Sequence, residues 1–239
     1  MNREAEIHLS ALIRTHDEDR WLAARYAPAA ARRTLLALYA FHVELARIPA
    51  IVSEPPLGEI RLQWLRQALA EMRAGRTAAG HPVLKALAAA GVVDDDAAAA
   101  LEGAIDARSR LLYADEPFRD AEDLAGWLAR AESYLEPLAA SALGADARLC
   151  AAAGEAGLAF ALARSGLVLA PQLADETATK AQTLYTEAQP RLRRAPANCA
   201  PALAHLSLTP AYLKRGPTRR PFPVEKRARI FLFMLTGRV

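Results

Sequence analysis

Cysteine is almost missing from this sequence: Cys150 and Cys199 are the only two in 239 residues. Two thiols cannot build a disulfide framework, and neither lies in a CxxC or Cys/His spacing that would hold zinc. Two reduced thiols in a cytosolic chain are the expectation. Aromatic residues are also scarce, at 6%, which removes much of the stock from which β-sheets are made. No stretch approaches the ~20 uncharged residues that a membrane span requires. The nearest, Gly157 to Pro171, is short and carries Arg164, so it reads as a buried core helix. The N-terminal MNREAEIHLS carries Glu4 and Glu6 and has no apolar run, unlike a secretory signal or a transit peptide. The expected location is cytoplasmic.

What the chain has instead is alanine and leucine. Hydrophobic residues make up 53% of it, ample for a buried core, and these two are strong helix formers and weak strand formers. The expected fold is all-α, a single-domain helical bundle. Asp17 or Asp19 can cap a segment through Tyr26, and Pro28 suits the first turn of a long helix to about Ile48. SEPPLG breaks that helix, and Glu59 opens another to about Gly75. Two long helices joined by a short turn should pack antiparallel. Further helices read from about Val83 to Ala90, Asp94 to Tyr113, Asp120 to Leu143, Ala145 to Leu169 and Asp175 to Arg194, with Asp94 and Asp120 as N-caps. Beyond Pro196, repeated prolines allow only short pieces such as Pro210 to Arg215, until a terminal amphipathic helix from Val224 to Leu235. The expected organisation is a helical domain over 1–195, with 196–239 as a basic, Pro-rich cap of the same domain.

Charge is unevenly spread. Residues 91–146 hold 13 acids against 4 arginines, whereas residues 191–239 hold 11 basic residues against Glu225 alone. The basic end favours an anionic partner. One reading places the last helix on an anionic membrane surface, at the inner face of the cytoplasmic membrane; the other docks its apolar face on the bundle and leaves the basic side in water. No nucleic-acid motif accompanies the basic residues, and no nucleic-acid partner is expected.

The most informative stretch is LLALYAFHVELARIPAIVSEPPLGEIRLQWLRQAL, residues 35–69. It resembles the first helix pair of the squalene/phytoene synthase family, whose YAF-type helix bears an aspartate-rich motif and whose next helix bears a Trp-Arg segment like Trp64, Leu65, Arg66. The resemblance implies the all-α isoprenoid synthase fold, and the Gly157 to Pro171 helix would match the one bearing the second aspartate-rich motif. Within the family, the ELAR and GEIRLQW segments look most like the branch that contains a mitochondrial respiratory complex I assembly factor and its bacterial counterparts.

Catalytic relatives need those aspartates for a physical reason. Ionising a prenyl diphosphate requires magnesium to neutralise the leaving group, and magnesium demands oxygen ligands in octahedral array. Carboxylates one turn apart on two helices supply them. Where the resemblance places the first motif stand Ala46, Arg47 and Ala50, and where it places the second stand Val168 and Gln172. All five carboxylates are missing. Independently of alignment, neither Phe41 to Ser53 nor Gly157 to Leu173 contains an i,i+4 carboxylate pair. No metal site and no magnesium cofactor are expected. The run Asp94 to Asp96 reads as a solvated helix start, because adjacent helical residues point in different directions.

The residues expected to line a pocket here are His42, Glu44, Arg47, Glu59, Arg61, Trp64 and Arg164. Arg47 has two readings: a buried guanidinium paired with Glu44 or, across the hairpin, with Glu59; or a partly exposed helix pair with Glu44. Arg61 either binds an anionic head group or pairs with a neighbouring acid. His42 reads as a core or pocket-lining histidine, since no triad partner is identifiable. The other histidines, at 8, 16, 81 and 205, are scattered. No catalytic residue is assigned. The resemblance implies a non-catalytic protein doing accessory or assembly work at a respiratory membrane, with respiratory-complex subunits as partners and an isoprenoid or quinone tail as ligand. The alternatives are an active prenyl-diphosphate-dependent transferase with relocated acids, and a soluble lipid-binding module.

Overall fold

The computed structural model describes residues 3–76, 80–113, 118–216 and 223–237. Among them every regular element is helical, as the alanine- and leucine-rich composition requires. The order is α1 (Arg3–His16), α2 (Glu18–Ala24), α3 (Ala29–Ile51), α4 (Pro55–Arg73), α5 (Pro82–Ala90), α6 (Asp95–Arg108), α7 (Arg110–Tyr113), α8 (Ala121–Ala131), α9 (Leu135–Ala142), α10 (Ala147–Ala161), α11 (Leu167–Leu169), α12 (Ala174–Leu192), α13 (Ala200–Leu203), α14 (Thr209–Arg215) and α15 (Pro223–Thr236). A π turn, Leu162–Gly166, joins α10 to α11, and 3-10 turns cover Pro171–Leu173 and Ala204–Leu208.

Several boundaries follow from local chemistry. The carboxylates of Asp94, Asp120 and Asp146 accept hydrogen bonds from the amides of Ala97, Asp123 and Leu149 at 2.8, 2.7 and 2.7 Å, which starts α6, α8 and α10. Gly91 ends α5 at φ +64°, a conformation open to glycine at little cost. Other expected boundaries moved. Helix α4 begins at Pro55 rather than Glu59, because prolines fit the first helical turn, where no intrahelical amide donor is needed. The helix expected over Asp94 to Tyr113 is interrupted at Ser109, and the one over Asp120 to Leu143 is interrupted between Ala131 and Leu135.

The chain forms two compact units, one of Met1–Trp21 with Pro28–Pro117, the other of Leu22–Ala27 with Phe118–Val239. The 196–239 segment lies wholly within the second unit, and the division falls near residue 117. In the first unit, α3 packs most extensively on α1 and α5, with smaller contacts to α4 and α6. Its buried residues include Leu35, Leu38, Phe41, Leu45 and Ile48. The expected α3–α4 hairpin exists, but α4 leans more on α6 than on α3. Gly58 makes the α4–α7 approach possible, since a Cβ there would fall 2.5 Å from Leu112 Cδ2. In the second unit, α10 is the central rod, packed on α9 and α12.

Two helical rods, Ala29–Ile51 and Ala147–Leu169, are long and apolar enough to cross a membrane by length and composition alone. The share of each apolar window buried within the protein is 61%, as in core helices. This agrees with the core assignment of Gly157 to Pro171, and it adds α3 to the same class.

Candidate functional site

Residues 42–50 occupy the last turns of α3, a helix that continues through Pro49 and ends at Ile51. His42 is buried, consistent with a core or pocket-lining histidine. Glu44, Ala46 and Arg47 are half-buried, and Ala50 is exposed. Arg47 Nη1 donates to Glu44 Oε1 at 3.3 Å, with the two side chains 33% and 27% exposed. Of the two arrangements open from sequence, this is the partly exposed helix pair. Glu59 does not receive Arg47: its carboxylate accepts the Ser109 hydroxyl instead, tying α4 to the break between α6 and α7.

On α4, Arg61 and Trp64 are exposed. Trp64 meets His81 edge to face, with centroids 5.5 Å apart. Leu65 is buried, and Arg66 binds Asp106 of α6 at 2.6 Å while also reaching Gln63 at 3.1 Å. The Trp-Leu-Arg segment thus divides its work among an aromatic contact, core packing and an interhelix ion pair. The acidic run behaves as a helix start: Asp94 caps α6, and Asp95 pairs with Arg73 at 2.6 Å.

The second expected motif lies in the other unit, on a less regular backbone. The π turn shifts the hydrogen-bond register, α11 ends at Leu169, and Ala170 turns away at φ −139° and ψ 70°. Val168 is exposed in the last helical turn, while Gln172 is exposed in the following 3-10 turn. These positions therefore do not share one continuous helix, and the i,i+4 rule for facing ligands does not apply to them. Arg164, inside the π turn, lies over the Phe160 ring with its guanidinium carbon 5.6 Å from the centroid.

Magnesium, which the fold family uses, does not fit these residues. The two stretches offer Glu44 as their one carboxylate among residues 41–53 and 157–173, and that carboxylate is already engaged by a guanidinium. Among the described residues, no group of three or more His, Cys, Asp or Glu side chains is placed to hold a metal ion.

One buried polar cluster has no motif in the sequence. His205 Nε2 and Glu136 Oε1 lie 3.1 Å apart with both side chains fully buried, and Phe160 packs edge to face on His205 at 5.1 Å and on Tyr212 at 5.8 Å. Gly157 belongs to the same cluster, because a Cβ there would fall 2.5 Å from Glu136 Oε2. The available signal was one ionisable residue within each of two largely apolar runs, LEPLAA and ALAHLSL. Pairing them needs the tertiary structure, since they are 69 residues apart.

The terminal helix α15 docks. Ile230 and Phe233 are buried, and the helix packs on the Ala204–Leu208 turn and on α13. Glu225 accepts from Arg215 at the end of α14, and from Arg229 Nε at 3.0 Å. The Arg215 hydrogen bond is the main cause that holds the Glu225 carboxyl below its ordinary pKa; burial opposes it, and Arg229 adds a lesser lowering effect.

Comparison with known proteins accords with this architecture. The squalene/phytoene synthase family model matches residues 13–165. A dehydrosqualene synthase crystallised with a ligand superposes with a TM-score of 0.74 at 14% identity, covering 96% of this chain and 95% of that one. The squalene synthase HpnC from Alicyclobacillus acidocaldarius superposes with a TM-score of 0.67 at 15% identity, covering 98% and 95%. At such identities the likeness establishes the fold. Over 69 residues the chain is 35% identical to NADH dehydrogenase (ubiquinone) complex I, assembly factor 6, of Rattus norvegicus. That match spans 29% of this chain and 21% of the rat protein's length.

Proposed function

The chain belongs to the squalene/phytoene synthase family, and we propose that it is a member without prenyl transfer chemistry, working in accessory or assembly tasks at a respiratory membrane with an isoprenoid or quinone tail as ligand. The observation that carries the loss of chemistry is the missing carboxylate array. Prenyl diphosphate ionisation needs a cation clamp on the leaving group. At the first motif, a guanidinium paired 3.3 Å from Glu44 stands where a metal ligand would be. A fixed cation there opposes a second one, because like charges repel at short range even through solvent. At the second motif, the positions are a valine and a glutamine on opposite sides of a helix end. The accessory role draws support from the likeness to the rat complex I assembly factor. The isoprenoid ligand draws support from the fold shared with a dehydrosqualene synthase and a squalene synthase, enzymes named for isoprenoid products.

Two measurements test the two halves. Incubation with magnesium and farnesyl or geranylgeranyl diphosphate is expected to release no diphosphate above the rate without protein; turnover would restore the chain to the catalytic members. Deleting the gene in its native cell is expected to lower the amount of assembled respiratory complex I. An unchanged complex would leave a lipid-binding module as the better account.

A further inference from the structure

Helix α15 has two apolar faces, and docking uses only one. Lys226, Ile230 and Phe233 are buried. At 100° per residue, Val224, Phe231 and Leu235 fall on the opposite side, and they are 78%, 49% and 66% exposed. Leu232, 55% exposed, extends that stripe on one flank, while exposed Arg227 borders it on the other. The docked side fixes the helix on the second unit, so the stripe is held facing solvent.

A cavity of about 390 Å³ opens beside it, lined by Tyr185, Gln189, Ser207, Arg229, Leu232 and Thr236. Burial raises the Tyr185 hydroxyl above its ordinary pKa, against the Gln189 hydrogen bond and the nearby Arg229 and Arg193. It therefore remains a protonated donor. The cavity thus offers an anion chiefly the positive charge of the Arg229 guanidinium, whose Nε is held by Glu225 at 3.0 Å, while the Ser207 and Thr236 hydroxyls donate to the Ala204 and Leu232 carbonyl oxygens. Leu232 belongs to both the cavity wall and the exposed stripe. The C-terminal end of α15 also lies near the exposed Arg193, whose carbonyl oxygen is 3.9 Å from where a Gly237 Cβ would stand.

We infer that this face of α15 is a docking surface for a bilayer containing anionic phospholipids, with the stripe entering the interface and the cavity receiving a lipid phosphate. An apolar stripe bordered by arginines has the pattern of helices that lie in the membrane interface. A second copy of the chain is a poorer occupant. A symmetric contact sets the same patch against itself, bringing two sets of bordering arginines, Arg227 and Arg229, into one interface. The proposal deepens the reading above: the respiratory identity of the membrane rests on that reading, whereas the surface rests on α15 itself.

Sedimentation of the full chain with vesicles tests it, using phosphatidylcholine alone or mixed with phosphatidylglycerol. Binding is expected with the mixed vesicles, and the Phe231→Ser/Leu235→Ser double variant is expected to bind about tenfold more weakly or worse. Both residues are solvent-exposed, and an unchanged melting temperature will verify that the variant folds. Arg229→Gln is expected to reduce the preference for anionic vesicles; an unchanged preference would remove the cavity from the surface. Failure of the chain to bind, equal binding to neutral vesicles, or equal binding by the double variant would overturn the proposal. So would self-association in ultracentrifugation that the double variant abolishes in the absence of vesicle binding. Vesicle binding together with diphosphate release would retain this surface and sink the non-catalytic reading; no binding and no release would do the reverse.

Discussion

Two ion pairs with the same i,i+3 spacing differ in what surrounds them. Arg20 binds Asp17 at 2.6 Å with side chains only 1% and 4% exposed, whereas Glu44 and Arg47 remain about a third exposed. Water screens the second pair, which is worth a few tenths of a kcal/mol. Arg47→Ala is therefore expected to lower the melting temperature by less than about 2 °C. Asp17→Ala removes a carboxylate from a guanidinium that solvent cannot reach. Its expected cost is about 3 kcal/mol in denaturant unfolding, because breaking a buried pair costs far more than an intact pair contributes. An effect of Asp17→Ala as small as that of Arg47→Ala would contradict the burial argument. From sequence, Arg47 stood out because it occupies a degenerate motif position, while Asp17 looked like a cap. Spacing is visible in a sequence, but exclusion of water from a pair depends on what other helices bring over it.

At the scale of elements, the Glu225 carboxylate ties α15 to the end of α14 through Arg215 and to its own next turn through Arg229. Its folded pKa lies below the ordinary carboxylate value. The sign follows: this tie contributes fully above the unfolded pKa, and is lost as pH falls through the lowered folded value. Protease sensitivity of α15 is expected to rise on acidification below the usual carboxylate range. Glu225→Gln should be more sensitive at neutral pH and show a weaker acid increment; identical pH profiles would rule the tie out. Helix existence was readable here from alanine, leucine and N-cap aspartates. The interruptions at Ser109, at residues 132–134 and in the π turn were not, because residue periodicity does not record which amide bonds to which carbonyl.

For the whole molecule, the missing carboxylates make a prediction that needs no substrate. A cation bound at 100 times its dissociation constant would stabilise the fold by about 2.7 kcal/mol. Magnesium is expected to leave the melting temperature unchanged in scanning calorimetry at constant ionic strength. A rise of several degrees, absent with a monovalent salt, would reveal ligands elsewhere in the fold.

Composition alone determined the fold class, since a chain rich in alanine and leucine and poor in aromatics has little from which to build sheets. The one-dimensional spacing of acids was enough to establish that neither motif stretch carries an i,i+4 carboxylate pair, because ligands one turn apart must already be four residues apart in sequence. Only the tertiary structure decided that Arg47 pairs with Glu44 while Glu59 binds Ser109, that His205 meets Glu136, and that α15 buries Ile230 and Phe233 while exposing Phe231 and Leu235. Those outcomes depend on contacts between residues far apart in the chain and on the water those contacts exclude, neither of which is written in local order.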